Sequence, residues 1–211
     1  MQIQSQPTAT MTHEEMIMVV NTKDLFQGSA AWAGIKSDHI QEYLDRIITC
    51  HEFQPRSLME TDTNFKQIIP YMIFSHNDRY FIMQRRANAS ETRLKNKMTL
   101  GIGGHLRFED IEGANFGAWA RREFCEEIDY DGSYSISFLG LLNDDSNPVG
   151  QVHLGLVMLL HGDSDSIKIK SELKSGRLAS LDECFMDYQN LESWSQILYD
   201  FLVKQHVQSA R

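Results

Sequence analysis

The sequence predicts an α/β (α+β) fold: an α/β sandwich with a mixed central sheet. Three observations predict it. Apolar strand-like runs recur through the middle of the chain, amphipathic helical stretches flank them, and the run Thr99-Leu100-Gly101-Ile102-Gly103-Gly104-His105 links the two kinds of element. Strands interleaved with helices pack best as a sheet covered by helices. With 211 residues the chain can bury a substantial core. Its hydrophobic share of 42% against 23% charged excludes a disordered chain.

The elements follow in order. Residues 1–15 read as a frayed, disordered tail without the basic and apolar regions of a secretory signal. Met16 to Val20 is a short strand. Ser37 to Cys50 carries Ile40, Tyr43, Leu44, Ile47 and Ile48 at helical spacing, with Ser37 or Asp38 placed to cap it. Residues 53–64 read as loop. Strands are expected at 66–74 and 79–86, joined by a turn at His76-Asn77-Asp78. Residues 87–97 are polar and basic, which suits a loop over a site. A helix spans about 114–128 and ends before Asp131-Gly132. Strands at 134–142 and 151–161 enclose a polar loop, Asp144 to Gly150. Residues 166–171 alternate as an edge strand guarded by lysines would. Leu191 to Val207 is an amphipathic helix with a stripe of Trp194, Ile197, Leu198, Phe201 and Leu202.

The chemistry concentrates in Arg122-Glu123-Phe124-Cys125-Glu126-Glu127. On a helix, Glu123, Glu126 and Glu127 sit at i, i+3 and i+4 and share one face. Like charges on adjacent turns repel by a few tenths of a kcal/mol, roughly, per pair. Three together call for a positive partner, and a hard divalent cation such as Mg²⁺ suits oxygen ligands. The plain alternative is a solvated acidic face. The double glycine upstream, where backbone can approach a ligand closely, favours the cation. Arg122 lies i−4 from Glu126 and can hold that carboxylate. Cys125 points away from the carboxylate face, and core packing is expected for it.

Gly104, Asp110, Arg122, Glu123, Phe124, Glu126, Glu127 and Tyr130 together resemble the Nudix box, G-x5-E-x7-R-E-U-x-E-E-x-G-U with U apolar. There are three departures. Asp110 stands for the first glutamate, with Glu109 and Glu112 competing for its place. The spacer to Arg122 is eleven residues, Ile111 to Arg121, instead of seven. Asp129 replaces the last glycine. A longer loop costs little closure entropy. The strand pair around Phe65–Tyr71 and Tyr80–Arg86, together with Glu91-Thr92-Arg93-Leu94, Lys97, Leu142–Asp145, Val149–Gly155 and Leu191–Ser195, resembles a bacterial MutT-like subgroup described as predicted phosphoesterases. The resemblance covers about residues 65–205 and leaves 16–64 as an N-terminal extension of a single Nudix domain.

The resemblance implies a Nudix-type α/β/α sandwich and a metal-dependent pyrophosphohydrolase. The chain would cleave X–P–P, a nucleoside diphosphate derivative, by water attack at phosphorus. The alternative is a catalytically inactive Nudix-fold domain that binds nucleotide or regulates; such domains generally lose the paired glutamates retained here. An isomerase of isopentenyl diphosphate is disfavoured because no cysteine lies near the glycine loop. The resemblance implies Arg122, Glu123, Glu126 and Glu127 as catalytic residues. It places Mg²⁺, with Mn²⁺ as the alternative, on Glu123, Glu126, Glu127 and the Gly104 carbonyl. Arg93, Lys97, Asp144, Asp145 and His153 are the substrate-binding candidates, Arg93 and Lys97 coming from the basic set Arg85, Arg86, Arg93, Lys95 and Lys97. The general base is a box glutamate, Asp144 or Asp145, though Asn-Asp-Asp-Ser-Asn-Pro also suits a turn. His105 and His153 are either structural or site-facing. Phe65, Tyr71, Tyr80 and Trp119 are either base-stacking or core.

The net charge of −9 argues against general nucleic-acid binding. It also requires cations if phosphates are to share a site with carboxylates. No apolar run approaches the roughly 20 residues of a membrane span. Three widely spaced cysteines indicate neither a disulfide framework nor a zinc site, so a reducing, cytoplasmic setting is expected. The N-terminal region is a candidate homodimer surface.

Overall fold

The computed structural model describes residues 14–86, 96–111, 116–170 and 173–209. Of the tail expected at 1–15, residues 1–13 lie outside the described residues, as do Glu91, Arg93, Lys95 and Glu112, while Glu15 is described and pairs with Arg56 and Arg107. The elements run β1 (Met16–Asn21), α1 (Thr22–Phe26), β2 (Gly34–Lys36), α2 (Gln41–Cys50), β3 (His51–Pro55), α3 (Arg56–Met59), β4 (Phe65–His76), β5 (Arg79–Arg85), β6 (Met98–Thr99) and β7 (Ile102–Gly103). They continue with α4 (Phe108–Ile111), α5 (Phe116–Glu127), β8 (Ile128–Tyr130), β9 (Tyr134–Asn143), α6 (Pro148–Val152), β10 (His153–Gly162), β11 (Ile167–Ile169), β12 (Leu173–Ala179), α7 (Leu181–Phe185) and α8 (Ser193–Ser209).

β4 organises the main sheet, whose strand order is β12-β5-β4-β10-β9-β2. Its pairing with β10 is parallel and the other pairings are antiparallel, so the sheet is mixed. The remaining edge of β4 is shared along its length. β1 pairs with Phe65–Gln67, β7 with Tyr71 and Met72, and β5 with Ser75 and His76. Asn77 and Asp78 turn the β4–β5 hairpin with φ of 48° and 57°. Both values are positive, as a two-residue type I′ turn requires.

The two-residue period of the strands sends side chains alternately to two cores. Ile68, Met72 and Phe74 of β4 join Leu154, Leu156, Met158 and Leu160 of β10 beneath α5 and α2. Tyr71 and Ile73 join Val157 and Leu159 on the other face beneath α7 and α8. Helices therefore cover both faces, giving the α/β/α sandwich. On α5, Trp119, Ala120 and Phe124 face the first core, and Phe124 stacks on Phe74 at 6.1 Å. Tyr71 and Trp119 are core residues.

Several expectations are corrected. Residues 53–64 are not simply loop, because β3 pairs with β1 and α3 follows it. The cap of α2 is Ile40, without a side-chain hydrogen bond, so neither Ser37 nor Asp38 caps that helix. The segment 144–150 becomes helical at Pro148, capped by the Asn147 side chain. β11 pairs with β8 in a separate two-stranded sheet and does not edge the main one. Cys125 is exposed, since Phe124 takes the inward position of that turn. The inward face of α8 includes Ser195 and Tyr199 with Leu198 and Leu202, while Phe201 is only half buried.

Ser195 is the polar joint of the second core. Its hydroxyl accepts from the Leu100 amide at 2.9 Å and lies 2.9 Å from Tyr71 Oη and 3.2 Å from Thr99 Oγ1. Burial pushes the Tyr71 phenol up to about 12. Ser195→Ala strands a buried amide and weakens a buried phenol. It should destabilise the fold by about 1–3 kcal/mol. Denaturant melts would read this loss; a change near zero would show that the joint carries no net stability.

Candidate active site at the glycine loop

The shared edge of β4 sets where the glycine loop runs. β7 ends opposite Tyr71, and the chain then crosses toward β1, where the Met18 amide donates to the Leu106 carbonyl at 2.7 Å. Gly104 lies between, against α5. A Cβ on Gly104 would sit 2.4 Å from Glu123 Oε2, so a larger residue there would push that carboxylate aside. Glu123 is buried, and burial raises its carboxyl above the usual range, with Arg122 opposing.

Arg122 gathers the acids. Nη2 lies 2.6 Å from Asp110 Oδ1 and 2.9 Å from Glu123 Oε1, while Nη1 donates to Glu126 Oε1 at 2.7 Å. Burial works to lower the guanidinium's pKa, but these carboxylates raise it above its ordinary value. Asp110 also accepts from the Arg107 amide at 2.9 Å, while Glu109 is exposed. Asp110, rather than Glu109, is therefore the acid tied to Arg122. The long spacer still returns an acid to the helix.

The donor set fits a hard cation on two counts. Glu123 Oε1 is buried without a hydrogen-bond donor among the described residues, Arg107 and Arg122 standing near it in ion-pair geometry. The Gly104 backbone forms a cradle that any side chain would fill. As the side chains stand, no three carboxylate, imidazole or thiol groups among the described residues converge on one point. Arg122 is the counter-ion to the acids, Glu126 is exposed, and Glu127 is half buried with its charge felt at Arg85. The structure brings Gly104, Glu123, Arg122 and Glu126 together.

The other candidates are dispersed. Asp144 is engaged locally: Oδ1 accepts from the Ser146 amide and hydroxyl, and Oδ2 from Asn147 Nδ2. Asp145 pairs at 2.6 Å with Lys66, which is 2% exposed and also donates to the Gly150 carbonyl at 2.8 Å. His153 Nδ1 is 2.7 Å from the Val149 carbonyl. Its ring is 5.7 Å from that of His105, whose Nε2 meets Gln67 Oε1 at 2.8 Å. Burial, helped by Arg56, His153 and Arg107, pushes His105 down to about 3, so it is neutral. Arg85 is paired with Glu192 at 2.7 Å and Arg86 Nε donates to the Leu173 carbonyl at 2.9 Å, so neither is an unengaged phosphate ligand. Lys97 is half buried at the border of the described residues, and Arg93 lies outside them.

A cavity of about 520 Å³ lies elsewhere, between β2 and α8, and among the described residues Asp144 is the one candidate in its walls. Sequence reasoning missed Lys66, Gln67, Arg107 and Glu15. A lysine opening the apolar run of β4 was the available signal for the first.

The Lys66–Asp145 pair makes a directional prediction. Asp145→Ala leaves a buried ammonium short of its partner and should cost about 3 kcal/mol, whereas Lys66→Met removes the buried charge itself and should cost about 1 kcal/mol or less. Denaturant melts giving the reverse order would show that Asp145 does not compensate Lys66.

No family model matches the sequence. The chain is 35% identical over 204 residues to Protein YmaB of Bacillus subtilis (strain 168), covering 90% of this chain and 98% of that protein. The crystal structure of Tm1382, assigned to the Nudix hydrolases, superposes with a TM-score of 0.75 at 31% identity, over 90% of this chain and 100% of that one. The NUDIX domain of Shewanella oneidensis NrtR, solved with ADP ribose, superposes with a TM-score of 0.51 over 66% of this chain and 88% of that one. At 10% identity this last likeness shows the fold alone. A full-length likeness to an assigned Nudix structure, and a glycine loop seated on the Arg122–Glu127 helix turn, agree: the chain belongs to the Nudix hydrolase superfamily.

Proposed function

We propose that this protein is a metal-dependent pyrophosphohydrolase that cleaves the diphosphate linkage of a nucleoside diphosphate derivative or a similar X–P–P compound. One observation carries the reading: the Gly104 backbone lies directly against the buried Glu123 carboxylate, on the helix that also bears Glu126 and Glu127. Family membership supports the reaction class.

The residues that would hold the cation are the Gly104 carbonyl, Glu123, Glu126 and Glu127. A divalent cation such as Mg²⁺ or Mn²⁺ held there would neutralise phosphate oxygens and polarise phosphorus toward a water nucleophile. Arg122 orients Glu126 and holds Asp110 and Glu123 beside it. In the reaction an oxygen of water bonds to one phosphorus, the bridging P–O bond breaks, and the departing phosphate takes the electron pair. A carboxylate accepts the proton of the water. Asp144 is saturated by Ser146 and Asn147, and Asp145 is paired with Lys66, which favours a box glutamate as the base. In a chain of net charge −9, cations also offset the repulsion between carboxylates and an anionic substrate.

The test is product release from ADP-ribose, NADH, nucleoside triphosphates and dinucleoside polyphosphates with Mg²⁺ or Mn²⁺. Turnover should need the cation and should fall about 10²-fold or more in Glu127→Gln, as loss of a charged ligand group implies. Turnover unchanged by that substitution would sink the metal site. Mn²⁺ binding without turnover on any compound would favour a binding or regulatory domain. Gly104→Ala pushes the new methyl onto Glu123 and should weaken Mn²⁺ binding about tenfold or more while leaving the thermal melt within a few degrees. Unchanged Mn²⁺ affinity in that variant would remove Gly104 from the ligand set.

A further inference from the structure

Charges link the N-terminal residues to the site. Glu15 takes Arg56 Nη1 at 2.9 Å on Oε2, and its Oε1 lies 3.1 Å from Arg107 Nε. Arg56 is held from its other side by Glu60 at 3.0 Å. Arg107 Nη2 then stands 3.7 Å from Glu123 Oε1. The backbone of Arg107 is anchored independently: its amide donates to Asp110 and it bridges to Ile17 of β1.

The two acids engage this guanidinium only in part. Nε is buried without a hydrogen-bond partner, and Nη2 reaches Glu123 only at a distance too long for a hydrogen bond. Yet the side chain is 41% exposed, so solvent reaches the fork. A planar fork beside a carboxylate it does not hydrogen-bond is well placed for bidentate contact with a phosphate. The neighbouring arginines are held more closely: Arg122 meets its three acids at 2.6–2.9 Å and Arg56 its two at 2.9–3.0 Å, whereas Glu123, one of the two acids at Arg107, stands 3.7 Å away.

We propose that Arg107 is a phosphate-binding residue of this site and that Glu15 is its positioning residue, holding the guanidinium back from Glu123. The proposal rests on the reading of the glycine loop as a cation and diphosphate site. Glu15 bears part of the Arg107 charge. Without it the full charge turns to Glu123, where it competes with a divalent cation. Without Arg107 that competition ends, but the phosphate loses its fork. Glu15, the last residue before β1, thereby becomes part of the substrate site.

The experiment measures Mn²⁺ binding, and inorganic pyrophosphate binding at saturating Mn²⁺, by calorimetry on the full chain, with thermal melts as the folding control. Arg107→Gln should tighten Mn²⁺ about fivefold, the scale of one unit charge near 4 Å in a mostly aqueous setting, and weaken pyrophosphate about tenfold or more. Glu15→Gln should weaken Mn²⁺ by a similar factor, about fivefold. In the Arg107→Gln background the Glu15→Gln effect should vanish, because Glu15 acts through the arginine. Arg107→Gln leaving both affinities unchanged would overturn the proposal, as would a Glu15→Gln effect that persists in full in the double variant. Shifts of the expected signs in a protein without turnover would uphold the site and sink the hydrolase reading alone. Turnover with unshifted affinities would do the opposite, and a folded protein that binds neither probe would overturn both.

Discussion

β4 must satisfy the backbone groups of twelve residues on both edges while its side chains are buried on both faces. One edge takes β10 along nearly its full length. The other is divided among β1, β7 and β5. That division leaves a place between β1 and β5 that only β7 and the glycine turn fill. The site is therefore built by the sheet: the register of β7 against Tyr71 and Met72 delivers Gly104 to the flank of α5.

The electrostatics follow from the same geometry. α5 turns Trp119, Ala120 and Phe124 into the core, and Glu123 goes with them to the edge of burial. A carboxylate there is costly unless a positive group faces it. Arg122 and Arg107 do so, and the acids Asp110, Glu126 and Glu15 share the arginines in turn. An acidic chain thus concentrates guanidinium groups where its carboxylates are most crowded. Away from the site the same logic recurs singly, with Lys66 buried against Asp145 and Arg85 held by Glu192.

The extension also changes what the domain is. Residues 16–64 do not hang beside the sheet: β1 pairs with β4, β2 pairs with β9, and the Trp32 indole donates to the Leu141 carbonyl at 3.2 Å. α1 and α2 cover part of the first core. Among the described residues no helix is long and apolar enough to cross a membrane.

Local pattern alone was enough for whatever depends on neighbours in the chain. The apolar runs of β4, β5, β9 and β10, the turn at Asn77-Asp78, and the shared face of Glu123, Glu126 and Glu127 are set by backbone geometry within a few residues. So is the apolar stripe that docks α8. The short elements were not legible: β2, β3 and β12 have little pattern of their own and are strands because a partner edge awaits them. Asp144 and Asp145 looked equivalent in sequence, yet one closes a turn and the other compensates a lysine about eighty residues away. That Asp110 rather than Glu109 meets Arg122, and that Arg107 stands between Glu15 and Glu123, were decided only by packing. Distances between charges on separate strands come from the sheet register, and no local stretch of sequence encodes that register.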